Sequence, residues 1–258
     1  MAASQPFPLI TTPTSQLRNG EKPDQFCRCA SEMANVHNMI LRGLNSIYLQ
    51  APHIKSADEQ SFLGYSSCLY DLIHVHHEGE EDILFPAIVD MSGETGVMDQ
   101  NIEQHHVFHQ GLEDYNAYVR SCLNGTEKYN GSRLVAIIDG FGQQLASHLA
   151  QEISTLLDLR KYGDKMDKFE KKFEEWSNKD TLTKDVEQSN LSVPGALSWG
   201  FFNHDKQYEG GLWENWPPAP APVVFIVRWV TYWKHSDWWR FAPCDRYGKP
   251  KERLFAEA

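Results

Sequence analysis

Six of the chain's eleven histidines fall in two short clusters, His74, His76 and His77, then His105, His106 and His109. His37 and His148 lie in two further stretches that also repeat with helical spacing. Residues four apart on a helix differ by about 40° around the axis and by about 6 Å along it, so such a pair aims at one point. His77 with Glu81, His105 with His109, and His148 with Glu152 are pairs of this kind, and each continues an apolar stripe. The stripes are Phe62, Leu69, Ile73, His77, Glu81, Leu84 and Ile88; Ile102, His105, His109, Leu112 and Val119; and Ile138, Phe141, Leu145, His148, Glu152 and Leu159. His37 sits in a fourth, with Met33, Ile40, Leu44 and Ile47.

A single inward histidine is ordinarily a hydrogen-bonded core residue. Seven histidines and carboxylates meeting at one level of a core cost far too much to bury without opposite charge. Two metal cations supply that charge, since imidazole suits Fe, Zn, Cu and Ni and bridging carboxylates suit a close pair of ions. The register leaves alternatives open. His76 with Glu80, His74 with Glu78, and Glu103 with His106 compete with the pairs above, and Glu103-x-x-His106 is a pattern that ferritin-type centres need on two helices. The chosen pairs are those whose apolar neighbours continue the same stripe.

The periodicity predicts helices over about 24–50, 58–89, 99–123 and 132–160, with Pro86 kinking or ending the second. Short connections make an up-down bundle the economical arrangement. The fold class is therefore all-α: a four-helix bundle over 24–162, preceded by an N-terminal arm over 1–23. A charged helix and linker follow over 163–196, then an aromatic-rich, mostly irregular C-terminal lid over 197–258. Seven of the eight tryptophans lie between Trp199 and Trp239. The nearly all-apolar VVFIVRWVTYWKH in this lid is expected to be buried against the bundle.

A net charge of -11 excludes a nucleic-acid partner and favours attraction of cations. No apolar run reaches the roughly 18 residues of a membrane span, so no membrane partner is expected. No secretory signal is visible at the N-terminus, and five cysteines without a CxxC pair fit reduced thiols, which points to the cytoplasm.

HVHHEGEEDILFPAI, IEQHHVFHQGLEDY and SHLAQE resemble the hemerythrin, or HHE cation-binding, family over about residues 25–160. The resemblance implies two iron ions held by His37, His77, Glu81, His105, His109, His148 and Glu152, with the carboxylates bridging and dioxygen as ligand or co-substrate. Glu152 stands where oxygen-carrying hemerythrins have aspartate, and Glu78 adjoins the metal face and could replace or supplement a histidine. A centre richer in carboxylates favours dioxygen activation over reversible binding. NHDKQYEGGLWENWPP and WWRFAPCDRYG resemble a C-terminal extension of fungal members of this group. The expectation is a di-iron oxidoreductase that activates dioxygen toward a small organic substrate, with a pocket where lid meets bundle. The alternatives are a non-catalytic oxygen or iron carrier, sensor or store, and a structural zinc or metal-free bundle.

Overall fold

Asp24 begins the first helix by accepting a hydrogen bond from the backbone N–H of Cys27 at 2.8 Å, an N-cap that satisfies one of the unpaired donors of the first turn. The structure, a computed structural model, describes residues 5–177 and 196–257. Helix α1 (Gln25–Gln50) is followed by α2 (Glu59–Gly79), a π turn (Glu80–Leu84) and α3 (Phe85–Ser92), which closes on Gly93 in the left-handed conformation. Pro86 sits in the first turn of α3, where its missing N–H costs nothing. Helix α4 spans Asp99–Leu123, and α5 (Gly131–Asp139) and α6 (Gly142–Asp158) complete the bundle. α1 packs on α2 and α6, and α4 packs on α2 and α6, which closes the ring of four rods.

The fourth rod is expected as one helix and is two. Phe141 leaves helical geometry at φ -136° and turns its ring into the core, against Tyr115 and a site on α4 where only the missing side chain of Gly111 leaves room. Gly142 in turn lies against the ring of Phe7.

Twenty of the 26 residues of α1 are buried, so it is a central helix and not one side of an open bundle. Two added layers cover its outer face. The N-terminal arm lies along it, with Asn38 and Asn45 each pairing in both directions with the backbone, of Ile10 and Phe7 respectively, at 2.8–2.9 Å. Seven helical residues and three extended ones both advance about 10 Å, which is why these two asparagines match Phe7 and Ile10. The second layer is the C-terminal extension, with α8 (Ala196–Asn203), α9 (Ala221–Ile226), a second π turn (Val227–Thr231), α10 (Tyr232–Lys234) and α11 (Ser236–Trp239). Trp199 fills the notch left by Gly43 and stacks on Tyr65 at 4.8 Å, and Trp238 lies over Gly64. The Phe241 carbonyl accepts from Ser46 and Gln50, and Tyr65 donates to Asn203.

The charged segment after the bundle forms helix α7 (169–177), and its inner face is apolar: Phe169, Phe173 and Trp176 are buried. The linker expected beyond it lies outside the described residues. The apolar helix of the extension corrects an expectation. Val227 is buried, but Phe225, Ile226, Trp229, Val230 and Trp233 are 45–60 % exposed. Among the described residues there is no strand, and no helix is long and apolar enough to cross a membrane. All five cysteines are buried and unpaired.

Candidate metal centre

Four rods deliver seven side chains to one level of the bundle. α1 brings His37, the end of α2 and its π turn bring His76, His77 and Glu80, α4 brings His105, and α6 brings His148 and Glu152; all seven are buried. Ligand atoms of His77, Glu80, His105 and His148 lie within 4.8 Å of one another, and so do those of His37, His76 and Glu80. Glu80 belongs to both groups. One of its oxygens is 3.0 Å from His76 Nε2 and the other 3.6 Å from His105 Nε2. Glu152 repeats the pattern, with one oxygen 3.5 Å from His37 Nε2 and 3.7 Å from His148 Nε2. Each carboxylate thus faces one histidine of either group.

The outer nitrogens set the inner ones. His37 Nδ1–H donates to the Leu149 carbonyl at 2.8 Å, His105 Nδ1–H to Glu81 at 2.6 Å, and His148 Nδ1–H to Gln104 Oε1 at 3.0 Å. The Gln104 amide is itself oriented, since its nitrogen donates to Gln151. With Nδ1 protonated, Nε2 carries a lone pair. His105 and His148 then point lone pairs at each other across 3.0 Å, and His77 Nε2 is buried with no hydrogen-bond partner. Two facing acceptors repel unless a cation lies between or beside them. The donor set therefore fits metal ions and fits poorly as a hydrogen-bonded core.

Burial explains the charge states. It holds His76 down to about 3 and His148 to about 2, with neighbouring imidazoles adding to the effect, and it holds His37 and His77 well below the usual range. His105 is lowered by burial against the opposing pull of Glu81. Glu152 is pushed up to about 8 by burial, against a smaller opposing hydrogen bond from Glu80. Imidazoles kept neutral are imidazoles ready to coordinate. Phe85 and Phe108 pack against His105, and Trp176 of α7 lies 5.9 Å from His76, forming an apolar wall around the site.

The structure brings together His37, His77, His105, His148 and Glu152 of the residues expected from the sequence. It does not bring in Glu78, Glu81 or His109. Glu78 is exposed on α2. Glu81 lies just outside the cluster with its side chain 37 % exposed, holding His105 in place. The π turn is the reason: counting back from Phe85 by four or from Ile88 by seven gives position 81, while counting forward from Ile73 by three, four and seven gives 76, 77 and 80. One extra residue in a wide turn lets both halves face inward, so Glu80 takes the place assigned to Glu81. On α4, Phe108 fills the inward position one turn after His105, which leaves His109 in solvent, as are His74 and His106. Gln104 and Trp176 carry no sequence signal, since each acts only through a histidine on another helix.

The extension bonds the second half of α1 and the start of α2 through Met39, Ser46, Gln50, Asp58 and Tyr65. It also bonds Glu32 in the first half of α1 and Ile10 and Thr12 of the N-terminal arm. A cavity of about 580 Å³ within it is lined by extension residues alone.

The family model described as the hemerythrin HHE cation-binding domain matches residues 30–159, a span that holds all seven residues of the cluster. A curated protein named dimeric xanthone biosynthesis cluster protein R11, from Cryptosporiopsis sp. (strain 8999), is 34 % identical over 255 residues, covering 97 % of this chain and 91 % of that protein. No solved structure matches the chain.

Proposed function

This chain belongs to the hemerythrin HHE cation-binding family, and from that premise we propose that it is a di-iron protein whose centre binds dioxygen. The observation that carries the reading is the pair of buried carboxylates, Glu80 and Glu152, each set between histidines of two groups. Five neutral imidazoles and two carboxylates offer mixed nitrogen and oxygen donors that suit iron. When bound, iron supplies electrons that dioxygen can accept. The chain's own residues do the rest: Leu149, Glu81 and Gln104 fix the ring orientations, the two glutamates offset the charge of the ions, and Phe85, Phe108 and Trp176 keep water away.

With Glu80 in the place of Glu81 and Glu78 outside the cluster, the centre has five histidines and two carboxylates, and the loss of the third carboxylate favours binding over activation. One observation favours a second reading, oxidation of a small organic molecule: the relative's name places that protein in a biosynthesis cluster. The test is anaerobic loading with ferrous iron, metal analysis, and optical spectra before and after exposure to air and purging with argon. About two irons per chain and an absorption band that appears with air and fades on purging support dioxygen binding. Two irons with an irreversible change favour turnover. One zinc per chain, or no response to air, overturns the proposal.

A further inference from the structure

The cavity in the C-terminal extension is lined by basic side chains although the chain as a whole is acidic. α8 contributes Phe201, the turn after it Lys206, and the Trp216–Pro220 run forms one wall, with Arg228 reaching in from the second π turn. Its lining holds two cations and no acid. The Arg228 guanidinium lies 5.6 Å from the centre of the Phe201 ring, and its Nε is buried with no acceptor among the described residues. Lys206 is held below its ordinary range by burial first and by Arg228 second, with Glu214 only a weaker opposing influence. Two cations that line one partly dehydrated space destabilise the fold unless an anion joins them.

The walls say what kind of anion. Phe201 is almost fully buried, and Trp216 is fixed as a platform, its indole N–H donating to Glu32 at 2.7 Å and its ring packed on His204 at 4.9 Å. Pro217 and Pro220 add rigid apolar surface. The volume lies within the roughly 300–1,000 Å³ of small-molecule sites, which pair apolar walls with a few placed polar groups. Inorganic anions would leave these walls unused.

We propose that this cavity binds a planar aromatic carboxylate, its carboxylate between Lys206 and Arg228 and its ring against Phe201 and Trp216. Arginine takes carboxylates in two-point geometry, and lysine adds a mobile second charge. The site shares no lining residue with the metal centre and does not depend on which metal that centre holds.

The test is calorimetric titration of the metal-loaded full-length protein with 2-naphthoate, with 2-naphthylmethanol as a neutral isostere and with inorganic phosphate. Saturable one-to-one binding of naphthoate is expected, with the alcohol and phosphate at least about tenfold weaker. Arg228→Gln and Lys206→Gln should each weaken naphthoate binding by about tenfold or more. Trp233→Ser, on the exposed face of the neighbouring helix, should leave it unchanged, and the optical spectrum of the centre should not move. The alcohol comparison uses the unaltered protein and so does not depend on either variant folding. Absence of saturable binding, equal affinity for the alcohol or for phosphate, survival of binding in both glutamine variants, loss of binding in Trp233→Ser, or a shift in the centre's spectrum would each overturn the proposal.

Discussion

Two π turns occur among the described residues, and they meet opposite fates. The first, Glu80–Leu84, lies between rods packed on both sides; the residues before and after it are buried, and the wide turn reconciles two inward registers. The second, Val227–Thr231, lies at the rim of the extension. It buries Val227 and swings Arg228 toward a cavity, but Trp229 and Val230 stay in solvent. A π turn changes which residue faces inward; surrounding packing decides whether that change matters. Where packing is complete, the shift of one residue selects the metal-facing carboxylate.

The largest effect should come from breaking the first turn's selection. Glu80→Ala should remove at least one metal ion per chain and lower stability by about 3–5 kcal/mol, since a buried network loses one partner. Glu81→Ala should keep both ions and weaken metal affinity about 10–100-fold, the usual cost of losing an outer partner of a ligating histidine. The apolar stripe alone implies the reverse order. Elemental analysis of the two variants side by side decides between them, and greater loss from Glu81→Ala would mean that the wide turn does not set the register.

Acid should act on the same region by a different route. His37, His76, His77, His105 and His148 have folded-state values below the free-histidine 6.5, so in the metal-free protein the unfolded chain binds more protons as pH falls. Their contribution to stability is present above about pH 6.5 and is lost progressively below it. Each histidine shifts the folding equilibrium by up to about tenfold per pH unit. Glu152, pushed up to about 8, works in the other direction: its contribution is present below about 4.5 and is lost as pH rises to 8. Several histidines outweigh one glutamate, so the metal-free protein should melt at markedly lower temperature at pH 5 than at pH 7. Calorimetry at the two pH values checks the sign; equal melting temperatures would mean the imidazoles are not buried as neutral groups.

How much of this was legible in the sequence follows from the same contrast. The bundle was readable because its signals are local: α4 spans Asp99–Leu123, the span its periodicity gives, and Asp24 caps α1 where the pattern begins. His37, His105, His148 and Glu152 were readable because their stripes run unbroken through them. Glu80 was not, because a helical stripe counted from either end of α2–α3 gives a different answer, and only the backbone shows where the extra residue goes. His109 failed for a smaller reason: positions three and four along a helix are both near neighbours, and Phe108 packs better in the core. The extension was least legible, since its apolar run signals burial but not how much of its circumference is covered.

The extension should respond more mildly than the centre. An added methyl at position 64 would meet the Trp238 ring, and at position 43 the Trp199 ring. Gly64→Ala and Gly43→Ala should each cost about 1–3 kcal/mol by overpacking while leaving metal content unchanged. Thermal melts paired with metal analysis separate the two regions. Metal loss in either variant would show that the docking of the extension and the assembly of the centre are coupled through α1 and α2.

The smallest effect is expected on the outer face of the second π turn and of the short helices on either side of it. Trp233 is 59 % exposed and Phe225 is 60 % exposed, so neither is held by the core on that side. Single exposed apolar side chains contribute little to folding, and surface substitutions usually change stability by less than about 0.5 kcal/mol. Phe225→Ser should therefore leave the melting temperature almost where it is, in contrast to the losses at Gly64 and at Glu80. Its exposed neighbours Ile226, Trp229 and Val230 make a continuous apolar strip, and such strips promote association, so solubility should rise. The paired readout is a thermal melt and light scattering at increasing protein concentration. A drop of several degrees on Phe225→Ser would mean that this face is covered in solution, and that the second π turn is as fully packed as the first.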